Sequence, residues 1–177
     1  MKTFTLLISF ILCTGLAAAR PKAFPRFEDF AVTGKFTGQP APPKLTQPRA
    51  RRYRSEIRDR VSNGPNFAGH YTLAYWSCSP GCVAFAVVDA RTGRLYLHPT
   101  LKRINVAGDQ DEDVLQFRLD SRLLIVAGAR NGKGSGRYFY EWTGRWLRLI
   151  RAYDCKFDIE APPATRCVGN LGGLMAR

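Results

Sequence analysis

From Pro65 to about residue 151 the apolar residues recur at every second position, and the runs are cut at short intervals by turn-forming residues. A period of two sends side chains alternately to the two faces of a strand, whereas a helix repeats near 3.6. This pattern commits most of the chain to a sheet. Strands are expected at 71–77, 83–88, 94–98, 114–119, 123–127, 138–142 and 146–150. Ser79-Pro80-Gly81, the run from Asp89 to Gly93, Asp120-Ser121 and Thr143-Gly144 connect them. Strands joined by such short turns must run antiparallel. The expectation is a meander of six or seven strands, with a looser stretch after Pro99 and a mobile glycine-rich connection at 131–136. That glycine run looks like a phosphate cradle, but such loops open onto a helix amino terminus and here a strand follows.

Ahead of the sheet one helix is expected over 49–62. Ala50, Tyr53, Ile57 and Val61 fall on one face, with Arg51, Arg52, Arg54, Arg58 and Arg60 around the remainder. Asn63-Gly64-Pro65 stops it. Residues 20–48 hold Pro21, Pro25, Pro40, Pro42, Pro43 and Pro48 and read as an extended lead-in, because proline fixes its backbone and lacks an amide donor. Phe24, Phe27, Phe30 and Phe36 imply that this segment lies against the domain. Residues 1–19 have the layout of a secretory signal peptide: a positive start, an apolar stretch to Leu16, and Ala17-Ala18-Ala19 before a cut at Arg20. Leu12 before Cys13 argues against lipidation. The fold class is therefore all-β, mainly an antiparallel meander, with one N-terminal α-helix. It forms a small single domain over 49–177 in an exported chain, periplasmic or extracellular, with no transmembrane segment once the signal is removed.

The chain carries 27 Lys and Arg against 14 Asp and Glu, a formal net charge of +13. Residues 20–63 alone hold 11 basic and 4 acidic side chains. In an exported protein such an excess attracts anionic envelope components or acidic exported proteins, and nucleic acid is excluded by compartment. A basic lysozyme is a poor partner, because like charges repel. Beyond Cys13 stand Cys78, Cys82, Cys155 and Cys167, an even set that reads as disulfides with three connectivities open. Local pairing, Cys78 with Cys82 and Cys155 with Cys167, is the simplest. A zinc site fits poorly, since eleven residues separate the second pair. No metal or other cofactor is expected.

The run Gly64-Pro65-Asn66-Phe67-Ala68-Gly69-His70-Tyr71 is the most distinctive in the chain. It is followed by Trp76, Cys78, Cys82, Val87-Val88-Asp89 and Thr92-Gly93. With Phe27-Glu28-Asp29-Phe30, Tyr53-Arg54 and Ser121-Arg122-Leu123-Leu124, it resembles a family of small secreted bacterial proteins of uncharacterised activity. The resemblance spans roughly residues 27–151. It departs at the first cysteine, which the family flanks with glycine and this chain with Ser77 and Ser79. It implies export and a single domain, and it brings no substrate, cofactor or catalytic residue.

Several residues are candidates for a site. His70 could act as a general base, but no nucleophile accompanies it in sequence, and Asn66 and His70 are better read as bonding the backbone to hold a turn. Asp109, Asp111 and Asp113 alternate as in a calcium loop, yet Val114 stands where such a loop bends at glycine, so an acidic surface loop is the better reading. The hairpin 137–151 is the leading binding candidate. Tyr138, Tyr140 and Trp142 share one face, Arg137, Phe139 and Glu141 the other, and Trp146 and Arg148 follow across the turn. A sheet packed on one side would instead bury that aromatic face, and this reading is preferred. The binding candidates are thus Asn66, His70, Tyr71, Arg137, Tyr138, Tyr140, Trp142, Trp146 and Arg148, with no catalytic residue assigned. The functional expectation is a non-enzymatic binding or interaction protein of the cell envelope, including an inhibitor or immunity-type partner of another exported protein. The alternative is an envelope hydrolase or glycan-processing enzyme with its site near His70.

Overall fold

A computed structural model describes residues 24–106 and 113–154. Cys155, Cys167, Asp109 and Asp111, and with them the second disulfide and the calcium loop, lie outside the described residues, as does the signal segment. Two short helices, α1 (Pro48–Arg52) and α2 (Arg54–Ser62), precede eight strands. These are β1 (Tyr71–Ser79), β2 (Cys82–Asp89), β3 (Leu95–Tyr96), β4 (Ile104–Asn105), β5 (Leu115–Phe117), β6 (Leu123–Arg130), β7 (Lys133–Trp142) and β8 (Leu147–Asp154). All pairings are antiparallel, and the main path runs β1-β2-β4-β6-β7-β8, with β3 on β2 and β5 on β6. The chain is all-β with a helical cover.

Three details differ from the sequence expectation. The helix over 49–62 is two, broken at Tyr53 (φ −111°, ψ 34°), whose ring packs 4.9 Å from that of Trp76. The sheet keeps the sequence order of a meander but gains an unexpected short strand, β4, which pairs with Cys82 and Val83 on one side and Ala129 and Arg130 on the other, while β3 and β5 lie off the main path. The glycine-rich run is not a loose connection. Asn131 and Gly132, both at positive φ, make a two-residue turn from β6 into β7, and the remaining glycines lie within β7. This is the backbone a tight hairpin requires. The Asn131 carboxamide oxygen also accepts from Lys102 N, and its NH2 donates to Thr100 O, which latches the 99–103 loop to the hairpin tip.

Alternation decides the core. Tyr71, Leu73, Phe85, Val87, Leu124, Val126, Tyr138, Tyr140 and Trp142 point to one side and form the largest buried cluster. The sheet curls so far that β1 and β7, with three strands between them, touch across it: the Tyr71 and Trp142 rings are 5.1 Å apart. On the opposite face, Trp76, Ala84, Ala86 and Val88 meet Ala50, Ile57 and Val61 of the helices. Farther along that face, Leu123, Ile125, Phe139 and Tyr153 meet Phe27 and Phe30. Phe27 and Phe30, and Phe24 against Phe139 and Tyr153, therefore lie on the domain, as expected.

Hydrogen bonds bind the lead-in to successive turns. Val32 N donates to Asp120 O, Phe36 N to Gly69 O, Ala41 N to Ala90 O and Lys44 N to Gly93 O. The last contact makes glycine obligatory at 93: φ is +70°, and a Cβ there would strike the Pro42 carbonyl oxygen. Cys78 and Cys82 are joined across the β1–β2 turn. Among the described residues no helix is long and apolar enough to cross a membrane.

Candidate functional site

The strap at 41–47, the turn at 89–94 with β3 behind it, and the β7–β8 hairpin tip enclose a groove of about 730 Å3. Its floor is apolar and aromatic: Phe85 and Val87 from β2, Tyr96 from β3, and Trp142 and Leu147 from the hairpin. Around it stand the exposed residues Lys44, Arg94, Arg145 and Trp146. Among the described residues the one acid in the lining is Asp89, whose carboxylate is already engaged by Arg91 N and Thr92 Oγ1 at 2.9 Å each. Among the described residues no carboxylate lies within 4 Å of the Lys44, Arg94 or Arg145 cations. Arg94 instead reaches over Tyr96, 5.2 Å from the ring centroid. His98, also in the lining, is fixed as a neutral ring. Its Nδ1 accepts from Leu101 N at 2.9 Å and Thr100 N at 3.2 Å, and burial pushes its pKa down.

Beside this groove, across Trp142, lies a second cleft of about 490 Å3 lined by His70, Tyr71, Arg91, Arg122, Thr143 and Gly144 among others. The Tyr71 hydroxyl donates to Gly144 O at 3.4 Å. Trp142 is 2% exposed and its indole N–H completes no hydrogen bond, although it sits close enough to the Tyr71 phenol to offset part of the rise that burial imposes there. His70 Nε2 is 4.0 Å from Asp89 Oδ1, beyond hydrogen-bond reach. Burial lowers the His70 pKa, Arg91 lowers it further, and Asp89 acts in opposition, which leaves the imidazole neutral at neutral pH. Arg122 is held by Glu141 at 2.7 Å.

The structure therefore gathers four of the sequence candidates. His70 and Tyr71 line the cleft, Trp142 lines both cavities, and Trp146, 54% exposed, stands at the groove. The others go elsewhere. Asn66 spends both ends of its carboxamide on the Leu73 backbone. Tyr138 and Tyr140 are interior, with Arg130 stacked 3.8 Å over the Tyr138 ring and bonded to the Tyr140 hydroxyl. Arg137 is half-buried on the opposite face of β7, and Arg148 pairs with Glu141. Asp113 is exposed, and among the described residues no three metal-ligating side chains cluster. Sequence reasoning missed Lys44, Asp89, Arg94 and Tyr96, whereas Arg145 lies in the 137–151 hairpin it singled out. The turn run of residues 89–93 was visible, but nothing in sequence brings Lys44 next to Arg145. No protein-family model, curated protein or solved structure matches the chain.

Proposed function

We propose that this chain is an exported cell-envelope protein that binds an anionic partner in the groove between the 89–94 turn and the β7–β8 hairpin, without turnover. One observation carries the reading: an aromatic-floored groove of about 730 Å3 bordered by Lys44, Arg94 and Arg145, with the single acid among its described lining residues tied up in its own turn. Cavities of roughly 300–1,000 Å3 suit small molecules or the end of a chain rather than a flat protein face. Of the two partner classes expected from charge, this favours an anionic envelope component over the whole surface of an acidic protein. An inhibitor or immunity-type role stays within the reading if the partner inserts an acidic segment. The signal-like leader and the resemblance carried by residues 64–71 support export. The test is retention of envelope fractions (protein, peptidoglycan, lipopolysaccharide) on the purified protein at low and high salt. Retention of one fraction at high salt supports the proposal. Retention only at low salt, on anything anionic, reduces the charge to nonspecific attraction and overturns it.

His70 favours a second reading. A neutral imidazole beside a cleft with Arg91 and Arg122 has the protonation state a general base needs, so a glycan hydrolase centred there is the alternative. Loss of glycan turnover in His70→Ala, with folding intact, would establish it. Absence of turnover in the unaltered protein would remove it.

A further inference from the structure

We infer that the groove takes an acidic pyranose, a sugar ring bearing a carboxylate, with its apolar face on Trp146 and its carboxylate among Lys44, Arg94 and Arg145. The inference deepens the binding reading above and rests on it. Trp146 is the first observation. Trp76 and Trp142 are 4% and 2% exposed, as packing demands of so large a ring, whereas Trp146 is 54% exposed at the groove. Its backbone is well held, since Trp146 O accepts both Thr143 N and Thr143 Oγ1 at 3.0 Å, so the indole is presented from a fixed hairpin tip. The second is the pairing of cation with ring. Tyr96 stands edge-on to Trp142 at 5.3 Å, and the Arg94 guanidinium lies over its face, so aromatic surface and positive charge are adjacent and pre-ordered.

Few ligands use both features. An inorganic anion would satisfy the cations and leave the rings idle, and an apolar ligand would do the reverse. An acidic peptide would meet the cations without a flat face to lay on Trp146. A pyranose offers C–H bonds on one face for an aromatic ring, and its carboxylate projects from the ring edge, where a guanidinium can bind it through two parallel hydrogen bonds. Uronates and lactyl-bearing amino sugars both meet this description.

The test titrates the purified protein at about 0.15 M and about 0.5 M salt. The probes are trigalacturonate, its methyl ester, a muramic-acid-containing disaccharide and hexaglutamate, followed by tryptophan fluorescence and calorimetry. The expected result is saturable binding of trigalacturonate or the muramic disaccharide at both salts, the responder identifying the source. Esterification should weaken binding about tenfold or more, and hexaglutamate should not saturate at the higher salt. Trp146→Ala should weaken sugar binding by about tenfold, with Trp146→Phe in between. Arg94→Gln and Arg145→Gln should each weaken it by about tenfold while melting as the unaltered protein does, since both side chains are exposed. Equal affinity for the methyl ester, an indifferent Trp146→Ala, or stronger binding of hexaglutamate would overturn the inference. If no sugar binds while an envelope fraction is still retained at high salt, the sugar fails and the binding reading stands. If nothing is retained, both fail.

Discussion

Asn66 offers a sharp test of how the loop at 64–71 works. β1 stands at the end of the strand order, and Leu73 faces Val87 of β2 in register. Leu73 N–H and C=O point away from β2 and would be unpaired at the sheet edge. The Asn66 carboxamide takes the place of the missing strand: its oxygen accepts Leu73 N–H at 2.7 Å, and its NH2 donates to Leu73 C=O at 3.4 Å. The loop is held on that edge by Phe67 N and Asn66 N, both donating to Tyr71 O, and by the Phe67 side chain, which is 0% exposed. Asn66→Ala removes a short hydrogen bond worth about 1 kcal/mol and strands an N–H on a fully buried residue, a further penalty of about 1–2 kcal/mol. The expected loss is about 2–3 kcal/mol, read as a lower urea midpoint at unchanged m-value, with a melting temperature roughly 4–12 °C lower. Asn66→Asp keeps the acceptor for Leu73 N–H but sets a carboxylate against Leu73 C=O, so it should fall between. If Asn66→Ala unfolds within about 0.5 kcal/mol of the unaltered protein, the carboxamide does not cap the edge and the reasoning is wrong.

Two further predictions concern pH and the disulfide. His70 and His98 both have pKa values lowered from 6.5 by burial, so below that value the unfolded chain takes up protons before the folded one. Stability should be full above about pH 7 and decline toward pH 5, and His70→Gln should shrink the decline; a flat profile across that window would refute it. Asp29 and Asp120, whose pKa values lie below 3.8 through hydrogen bonds to Arg26 N and to the Arg118 guanidinium, act only at lower pH and leave this window clear. Replacing Cys78 and Cys82 together by Ser opens a loop of about five residues, which the chain-entropy account values at about 2 kcal/mol, or roughly 4–8 °C in melting temperature. No change in melting would mean that the staple contributes nothing to the folded state.

The parts of this fold that were legible in sequence are those set by local periodicity. Alternation along 138–142 assigned Tyr138, Tyr140 and Trp142 to one face, and that face is the core. Thr143 and Gly144 marked a real hairpin, closed by Thr143 N to Trp146 O. Strand β4 was not legible because two residues carry no period; Ile104 and Asn105 are strand only through what β2 and β6 offer them. The glycine run misled for a related reason. Glycine is poor in strands, but Gly136 has Tyr153 O and the Tyr138 ring so close that a Cβ would collide, so it is placed by its neighbours. The Asn131 and Gly132 pair was a hairpin signal hidden by the glycines after it. At the helix break the Tyr53 ring packs against Trp76, a contact that no helical pattern encodes. The candidate groove was the least legible feature. It draws on Lys44, the 89–98 segment and the 142–147 hairpin tip, brought together by backbone bonds such as Lys44 N to Gly93 O.

On the proposed function, the groove rather than the overall charge selects an anionic partner. A direct comparison sets the unaltered protein beside Lys44→Gln, Arg94→Gln and Arg145→Gln combined, and beside a control that removes three exposed cations outside the groove lining (Arg51, Arg54 and Arg58). Each is tested for retention of the envelope fraction at about 0.5 M salt. The groove variant should lose retention and the helix control should keep it. Equal loss in both variants, or retention unchanged in the groove variant, would contradict the proposal.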